Sequence, residues 1–439
     1  MVDILYDIGE WVIRLVMVPI VARQHRPMTA VAWLGFIFFI PWVGLGIYLL
    51  FGAYNLRRDV SRHARVREEL ETGGRLNLQP PSVLSPSVAP EHQGLVQVAE
   101  HLLTSRLGGL PVLGGNAVDL MDDTSRVIDR LVADIESAQQ HVHLMFYHFE
   151  DDDTGRRVLE AMAKAAARGV QCRLLVDAYM SRALLRVSTS WMEKRHITVR
   201  TMLPLNPLRR PLARFDIRNH RKLAIIDGLI GYTGSQNIHN SDWQRPGAVW
   251  QQVMVRLTGP SVLQLQLLFV EDWYFATRTL PEGAHLFPPA EATGEMLIQT
   301  VPDGPTYPTD AIQHMLVEAI YMAKHRLILT SPYFVPDEPL RLALRLAALR
   351  GADVHIIIPK RSDRLSADLA ARAFFQDLLD VGIHIHLHQR GVLHAKSMSV
   401  DEAIAMVGTA NFDLRSLYLN YELALFFYSN DIASTLQRL

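Results

Sequence analysis

The chain has 439 residues, with 44 basic and 45 acidic side chains, 18 histidines and one cysteine. That length exceeds one ordinary core and predicts two globular domains plus an extra segment. The balanced charge excludes a global field for holding a polynucleotide, and the lone Cys172 excludes an intramolecular disulfide and any cysteine-based zinc or iron–sulfur site.

The N-terminal segment, residues 1–56, reads as a membrane segment. Residues 2–22 are apolar but carry Asp3, Asp7, Glu10 and Arg14 at spacings of four, three and four. On a helix these form one stripe, so the segment either lies amphipathically in the interface or crosses it with the stripe against a protein neighbour. Residues 28–56 contain no charged side chain and match the ~30 Å of a hydrocarbon layer, which predicts a transmembrane helix kinked at Pro41. Arg57, Arg58, Arg62, Arg65 and Arg67 follow it, against Arg23 and Arg26 before it, so the rest of the chain is expected on the cytoplasmic side.

Residues 57–109 read as a basic linker that becomes rich in Pro and Ser over 77–90. From residue 110 two similar passages appear. Apolar strands are predicted over 141–146 and 171–176, and again over 326–330 and 353–358; alanine-rich helices between them end at Arg168-Gly169 and Arg350-Gly351. These are βαβ units, so the fold class is a duplicated α/β domain with halves at 110–281 and 282–439.

The chemistry-bearing motif is duplicated as well. His220, Lys222, Asp227, Gly234, Ser235 and Asn237 recur as His394, Lys396, Asp401, Gly408, Thr409 and Asn411, every pair separated by 174 residues. A histidine and a lysine two apart on a strand project to one face, so each half offers one imidazole and one ammonium to a shared point. Two lysines and two asparagines can stabilise a phosphodiester as it is attacked, without a metal or other cofactor, while two histidines supply nucleophile and acid. Isolated histidines elsewhere read as ordinary core or surface residues. Tyr147 and Tyr333 follow the first strand of each half and either line the site or pack in the core. Arg209, Arg210, Arg214, Arg218 and Arg221, among Leu208, Leu212 and Phe215, suggest a strip meeting an anionic membrane surface, with a solvated charged face as the alternative.

The double His-x-Lys-x4-Asp pattern resembles the phospholipase D superfamily. Within it the chain is most similar to the bacterial cardiolipin synthase family, through Asn219-His220-Arg221-Lys222, Ser331-Pro332-Tyr333-Phe334-Val335-Pro336, Leu393-His394-Ala395-Lys396 and Asn411-Phe412-Asp413-Leu414-Arg415-Ser416 with Asn420-Tyr421-Glu422. Arg26-Pro27 and Gly52, flanking the hydrophobic segment, fit the same family. The resemblance implies mixed sheets flanked by helices, two domains related by a pseudo-two-fold axis, and N-terminal membrane helices. It implies the joining of two phosphatidylglycerol molecules into cardiolipin with release of glycerol, through a phosphohistidine, at the inner (cytoplasmic) membrane of a bacterium. It puts His220, Lys222, Asp227, His394, Lys396 and Asp401 in the catalytic motifs, with Asn237, Asn411, Ser235 and Thr409 toward the substrate. The two aspartates are expected to be structural, pairing with cations near strand ends. Glu422 matches the carboxylate that holds a catalytic imidazole, and is expected to hold His394; Gln252 stands where the first half should have an aspartate, beside His220. On that pairing His394 stays protonated and His220 is the nucleophile, as in the superfamily.

The family continues some tens of residues beyond a point like Leu439. No nucleic acid is expected, and a homo-oligomer is compatible with the pattern. The rival functions are a phosphodiesterase that passes the phosphatidyl group to water, a nuclease, which neutral charge and a membrane segment disfavour, and an inactive membrane scaffold, which intact motifs in both halves disfavour.

Overall fold

The computed structural model describes residues 2–25, 27–52, 66, 94–97, 110–203, 216–243, 247–281, 285–307 and 310–439. The chain divides into one unit of Met1–Asp59 with Pro204–Ile217 and another of Val60–Leu203 with Arg218–Leu439.

In the first unit α1 (Val2–Gln24) is followed by α2 (Pro27–Phe39), α3 (Pro41–Ile47) and one π-helical turn (Tyr48–Gly52). The helix predicted over 28–56 is therefore broken. Ile40 leaves helical geometry at φ −136° and ψ 75°, and Pro41, lacking an N–H, opens a new helix instead of kinking the old one. The Tyr48 hydroxyl donates to Gln24 Oε1 at 2.8 Å, while the Trp42 ring lies 6.1 Å from that of Tyr6. So α2 runs back along α1 and α3 returns, a hairpin whose open end meets the carboxyl end of α1. Among the described residues no helix is long and apolar enough to cross a membrane. The polar stripe of α1 does meet a protein neighbour: Arg14 pairs with Glu10 at 2.9 Å and donates to the Phe38 carbonyl at 3.1 Å. Arg57, Arg58, Arg62, Arg65 and Arg67, and the Pro/Ser stretch over 77–90, lie outside the described residues.

The second unit is built on one fourteen-stranded sheet. Its first half supplies β1 (Leu113–Met121), β2 (His141–Phe146), β3 (Gln171–Asp177), β4 (Ile197–Met202), β5 (Lys222–Ile226), β6 (Ile230–Gly234) and β8 (Met254–Thr258), with the short β7 (Trp250–Gln251) apart from it. Its second half supplies β9 (Met296–Asp303), β10 (Arg326–Thr330), β12 (Asp353–Pro359), β13 (His384–His388), β15 (Ser397–Val400), β16 (Ile404–Gly408) and β18 (Glu422–Tyr428), with β11 (Phe334–Val335), β14 (Val392–Leu393) and β17 (Phe412–Asp413) apart from it. From the centre outward the halves run β1-β8-β6-β5-β2-β3-β4 and β9-β18-β16-β15-β10-β12-β13, joined by the antiparallel β1–β9 pair. This is one topology used twice. The outer three strands of each half are parallel and the inner ones antiparallel. The predicted duplicated, mixed α/β architecture is present, and its halves share a continuous sheet instead of forming separate globules.

Helices cover both faces: α4 (Thr124–Ser137), α5 (Asp153–Ala167), α6 (Arg182–Glu193) and α7 (Ser261–Thr277) in the first half, then α8 (Ala311–Met322), α9 (Glu338–Leu349), α10 (Leu365–Arg372), α11 (Phe375–Leu379), α12 (Leu414–Tyr418) and α13 (Asn430–Arg438). The crossover helices α5 and α9 show why the sequence folds this way. Asp152 caps α5 by accepting from the Gly155 N–H and Asp337 caps α9 by accepting from the Leu340 N–H. Leu340, Ala343, Leu344 and Ala347 are buried at the spacing of one helical face, and each buried leucine contributes ~1.5–3 kcal/mol. Both helices stop before a left-handed glycine, Gly169 at φ 94° and Gly351 at φ 98°, a conformation that any side chain would strain. Within each half the crossover leaves the carboxyl ends of the parallel strands, β2 and β3 in the first and β10 and β12 in the second, at one edge of that half, where open α/β sheets bind ligands.

Candidate active site

His220 lies just before β5 and His394 just before β15, and each is clipped to the opposite half. The His220 N–H donates to the Tyr421 carbonyl at 2.8 Å, and the His394 N–H donates to the Gln251 carbonyl at 2.8 Å. The next residues along those partner strands are Glu422 and Gln252. Each clip thus delivers an orienting side chain from one half to the histidine of the other. Glu422 Oε2 lies 3.0 Å from His220 Nδ1, and Gln252 Oε1 lies 3.2 Å from His394 Nδ1. The expected pairing, His220 with Gln252 and His394 with Glu422, is reversed.

Lys222 and Lys396 are fully buried, and each Nζ donates to the carbonyl of the histidine two residues before it at 2.7 Å. Burial dominates the protonation of the whole group. It brings His220 down to about 4 against the pull of Glu422, with Lys222 and Lys396 adding to the drop. It holds His394 well below the usual imidazole range, helped by both lysines and by His220. It also lowers Lys222 to about 7, opposed by Glu422, and places Lys396 well below an ordinary lysine. Burial works against ionised Glu422, but His220 and Lys222, together with the hydrogen bonds from His220 and Thr409, outweigh it and keep the carboxyl below its ordinary range. Each group responds to charges of both halves, so the two motifs form one site. An incoming phosphate anion would favour the charged lysines and imidazoles that burial disfavours.

The other motif residues divide into two groups. Asn237 is buried and its Oδ1 accepts from the His148 N–H at 3.3 Å; Asn411 is buried and its Nδ2 donates to Asp413 at 3.3 Å. Ser235 and Thr409, expected toward the substrate, instead hold the strands that carry the orienting residues. Ser235 Oγ accepts from the Val253 N–H at 2.9 Å, while Thr409 Oγ1 accepts from the Leu423 N–H at 2.9 Å and donates to Glu422 at 2.5 Å. The preceding glycines permit that approach: a Cβ on Gly234 or Gly408 would strike the carbonyl oxygen of Val253 or Leu423. Asp227 and Asp401 sit at the far ends of β5 and β15, about 15 Å along the strand from the lysines. Both have left-handed backbones, at φ 56° and 50°. Their carboxylates accept from three successive backbone N–H groups, Gln139 to His141 and Lys324 to Arg326, at 2.6–2.8 Å. They are structural, as expected, but their partners are strand-initiating amides and not cations, and they take no place in the catalytic cluster.

Two aromatic rings stand against the histidines: Tyr147, one of the two tyrosines expected either to line the site or to pack in the core, and Trp250, which carried no signal in the motif. Tyr147 stands edge-on to His220 with centroids 4.8 Å apart, and Trp250 stands edge-on to His394 at 5.0 Å. Behind Trp250 pack His239, at 5.1 Å, and Trp243, at 5.8 Å, forming an aromatic wall. The adjacency of Trp250 to Gln252 was the one available hint. Tyr333 turns its hydroxyl to Asp363 Oδ1 at 2.5 Å. Two arginines of the proposed basic strip are not on the surface. Arg221 is fully buried, donating to Asp272 Oδ2 at 2.8 Å, the Glu422 carbonyl at 3.0 Å and the Asp303 carbonyl at 3.1 Å. It ties the halves together, and Arg218 is buried as well. Arg209, Arg210 and Arg214, with Leu208, Leu212 and Phe215, lie outside the described residues.

Paired histidines and lysines from two copies of one mixed α/β half define a phospholipase D-like protein. The profile of the family described as "Cardiolipin synthase, PLD-like domain" matches residues 131–273 and 316–439, and that described as "Phospholipase_D-nuclease N-terminal" matches residues 11–52. Cardiolipin synthase A of Edwardsiella ictaluri is 35% identical over 425 residues, covering 95% of this chain and 87% of the relative. Cardiolipin synthase A of Klebsiella pneumoniae subsp. pneumoniae is 34% identical over 434 residues, covering 97% and 88%. The chain belongs to the cardiolipin synthase family of phospholipase D-like proteins. Among solved structures, the phosphatidylserine synthase of Haemophilus influenzae Rd KW20 shares the fold, with a TM-score of 0.57 at 11% identity over 73% of this chain and 84% of that one.

Proposed function

We propose that the chain is a phosphatidyltransferase that joins two phosphatidylglycerol molecules into cardiolipin and releases glycerol. The observation that carries the reading is the crossed clip, which supports a single two-histidine site fed by both halves. With its Nδ1–H given to Glu422, His220 presents the Nε2 lone pair to phosphorus. The phosphatidyl adduct on Nε2 leaves the ring cationic, and Glu422 is the counter-charge that stabilises it. The departing glycerol oxygen takes its proton from His394, whose Nδ1–H is held by Gln252. The second lipid's hydroxyl then returns a proton to His394 as it attacks. His220 remains the nucleophile, for the opposite electrostatic reason from the one the sequence suggested. Lys222 and Lys396 neutralise the phosphoryl oxygens, and Asn237 and Asn411 flank them.

The proposed place of action is a bacterial inner membrane with the catalytic unit on the cytoplasmic face; the N-terminal unit supports contact with a membrane, and the side follows from the excess of arginines after residue 56. Ile4, Leu5, Ile8, Trp11, Val12 and Phe39 are exposed, and the α2–α3 hairpin turns back on itself, a shape suited to insertion from one side.

The test is to incubate the purified full-length protein with phosphatidylglycerol vesicles and identify the products. Cardiolipin with equimolar glycerol is the expected result; phosphatidic acid as the main product would make it a hydrolase. The lysine pKa values add a pH dependence. Substrate capture needs cationic Lys222, whose proton is lost as pH rises through about 7, so kcat/KM should fall on the alkaline side of that value. A kcat/KM that keeps rising to pH 9 would remove the lysine from substrate binding.

A further inference from the structure

A lipid has to reach a catalytic cluster that is buried, and the second half carries an outward-facing apolar helix at the end that holds its motif. Ser397, next to Lys396, pairs with Thr330 at the carboxyl end of β10. Since β12 runs parallel to β10, α10, which follows β12, lies at that end, whereas α9, which precedes β12, finishes at the other. The strand puts roughly 20 Å between the two ends.

In the first half α6 holds the corresponding place after β3 and turns Leu184 and Met192 into the core. Helix α10 is built the other way. At about 3.6 residues per turn, Leu365, Leu369 and Arg372 fall within a sector of about 60°, and Ala367 and Ala371 fall on the opposite side. The two leucines are 73% and 61% exposed, and Leu365 is the most exposed large apolar side chain of the second unit among the described residues. Behind the alanines lies a cavity of about 360 Å³, walled by Tyr333, Phe334, Ile358 and Phe375, with the exposed Lys360 and Arg372 also lining it. The acids beside these two cations are engaged elsewhere. Asp363 accepts from the Tyr333 hydroxyl and lies 4.0 Å from Arg364, and Asp368 accepts from the Ser362 N–H at 3.1 Å. The cavity wall is joined to the motif: Phe334 pairs with Phe412, the residue after Asn411, and the Phe412 N–H donates to Ser331 Oγ at 3.2 Å. An exposed leucine by itself needs no explanation. Two on one helical face, flanked by cations and backed by an apolar cavity beside the motif, suit an anionic bilayer, which takes leucines at its acyl boundary and cations among its phosphates.

We infer that α10 is a membrane-docking helix of the catalytic unit: Leu365 and Leu369 enter an anionic bilayer surface and Lys360 and Arg372 meet its phosphates, so that a lipid leaves the bilayer beside the catalytic motif. This rests on the lipid-substrate reading above and adds to it a contact made by the catalytic unit itself, apart from that of the N-terminal unit.

The test places the full-length protein in phosphatidylglycerol nanodiscs with a fluorophore on Leu369→Cys or, as the control, on Leu349→Cys. Leu349 is 64% exposed and ends α9, at the opposite end of β12. Cys172 is buried, and burial pushes its thiol up to about 12, so it stays unlabelled at neutral pH. Nitroxide-labelled lipid should quench the probe at position 369 at least about threefold more than the probe at 349. Equal quenching, or stronger quenching at 349, overturns the docking face. A response at 369 only in discs holding two copies would assign the face to a second copy and overturn it as well. A kinetic measurement reads the same contact. Leu365→Ser/Leu369→Ser should raise KM for phosphatidylglycerol in vesicles by about tenfold or more, and should leave turnover of short-chain phosphatidylglycerol dissolved as monomers within about twofold. Equal losses on vesicles and monomers would contradict docking. Quenching needs no turnover, so wild-type enzyme that makes no cardiolipin would overturn the transferase reading while the probe still decides the docking face.

Discussion

His220→Ala should lower kcat by about 10⁴-fold or more and form no covalent adduct, because its Nε2 is the proposed nucleophile and Glu422 supplies the counter-charge only to that ring. His394→Ala should fall by at least ~10²-fold while still forming adduct from a donor with a good leaving group, since loss of a general acid matters least when the departing oxygen needs no proton. The two effects should not add in the double variant, because both histidines serve one cycle. Steady-state rates with phosphatidylglycerol and with an activated phosphodiester, alongside circular dichroism to confirm folding, check this. Near-normal turnover in either single variant would mean that the two motifs work independently.

The second large effect is expected at Glu422. Glu422→Gln keeps an acceptor for the His220 Nδ1–H but removes the negative charge facing the cationic phosphohistidine. It should therefore cost on the order of 10³–10⁴ in kcat, the scale found when a carboxylate that orients a catalytic imidazole becomes an amide. The sign on His220 follows from the site. Glu422 is the main influence raising that imidazole against burial, so its removal should drive His220 below about 4. In histidine-labelled NMR spectra the variant should shift the His220 titration more than that of His394. The opposite order would restore the pairing of each histidine within its own half.

That pairing shows where the sequence was legible and where it was not. The strands 141–146 and 326–330 agree with β2 and β10, and the repeated His and Lys do converge, because apolar runs and a duplicated motif are local signals. Glu422 lies 28 residues after His394, which invited a same-half reading. The clips of His220 to Tyr421 and His394 to Gln251 are made by backbone groups between halves, and no side-chain pattern encodes them. The same holds for Arg221: in sequence it belongs to a run of arginines, but in the fold its partners are Asp272 and the carbonyls of Glu422 and Asp303. Ser235 and Thr409 recur with the motif and were expected toward the substrate, yet their hydroxyls face the neighbouring strand, a direction that spacing alone does not fix. The hydrophobic segment failed for a simpler reason. Its composition measures length along the chain, whereas the break at Ile40 and Pro41 decides whether that length crosses or returns.

The account stands most directly on which histidine becomes phosphatidylated. Wild-type enzyme mixed with phosphatidylglycerol and quenched in alkali within one turnover, where a phosphoramidate survives, can be digested and the modified peptide located by mass spectrometry. The crossed pairing with Glu422 predicts the adduct on the peptide containing His220, with His394 unmodified. An adduct on His394 with His220 unmodified would contradict it and make the His220–Glu422 pair the proton donor.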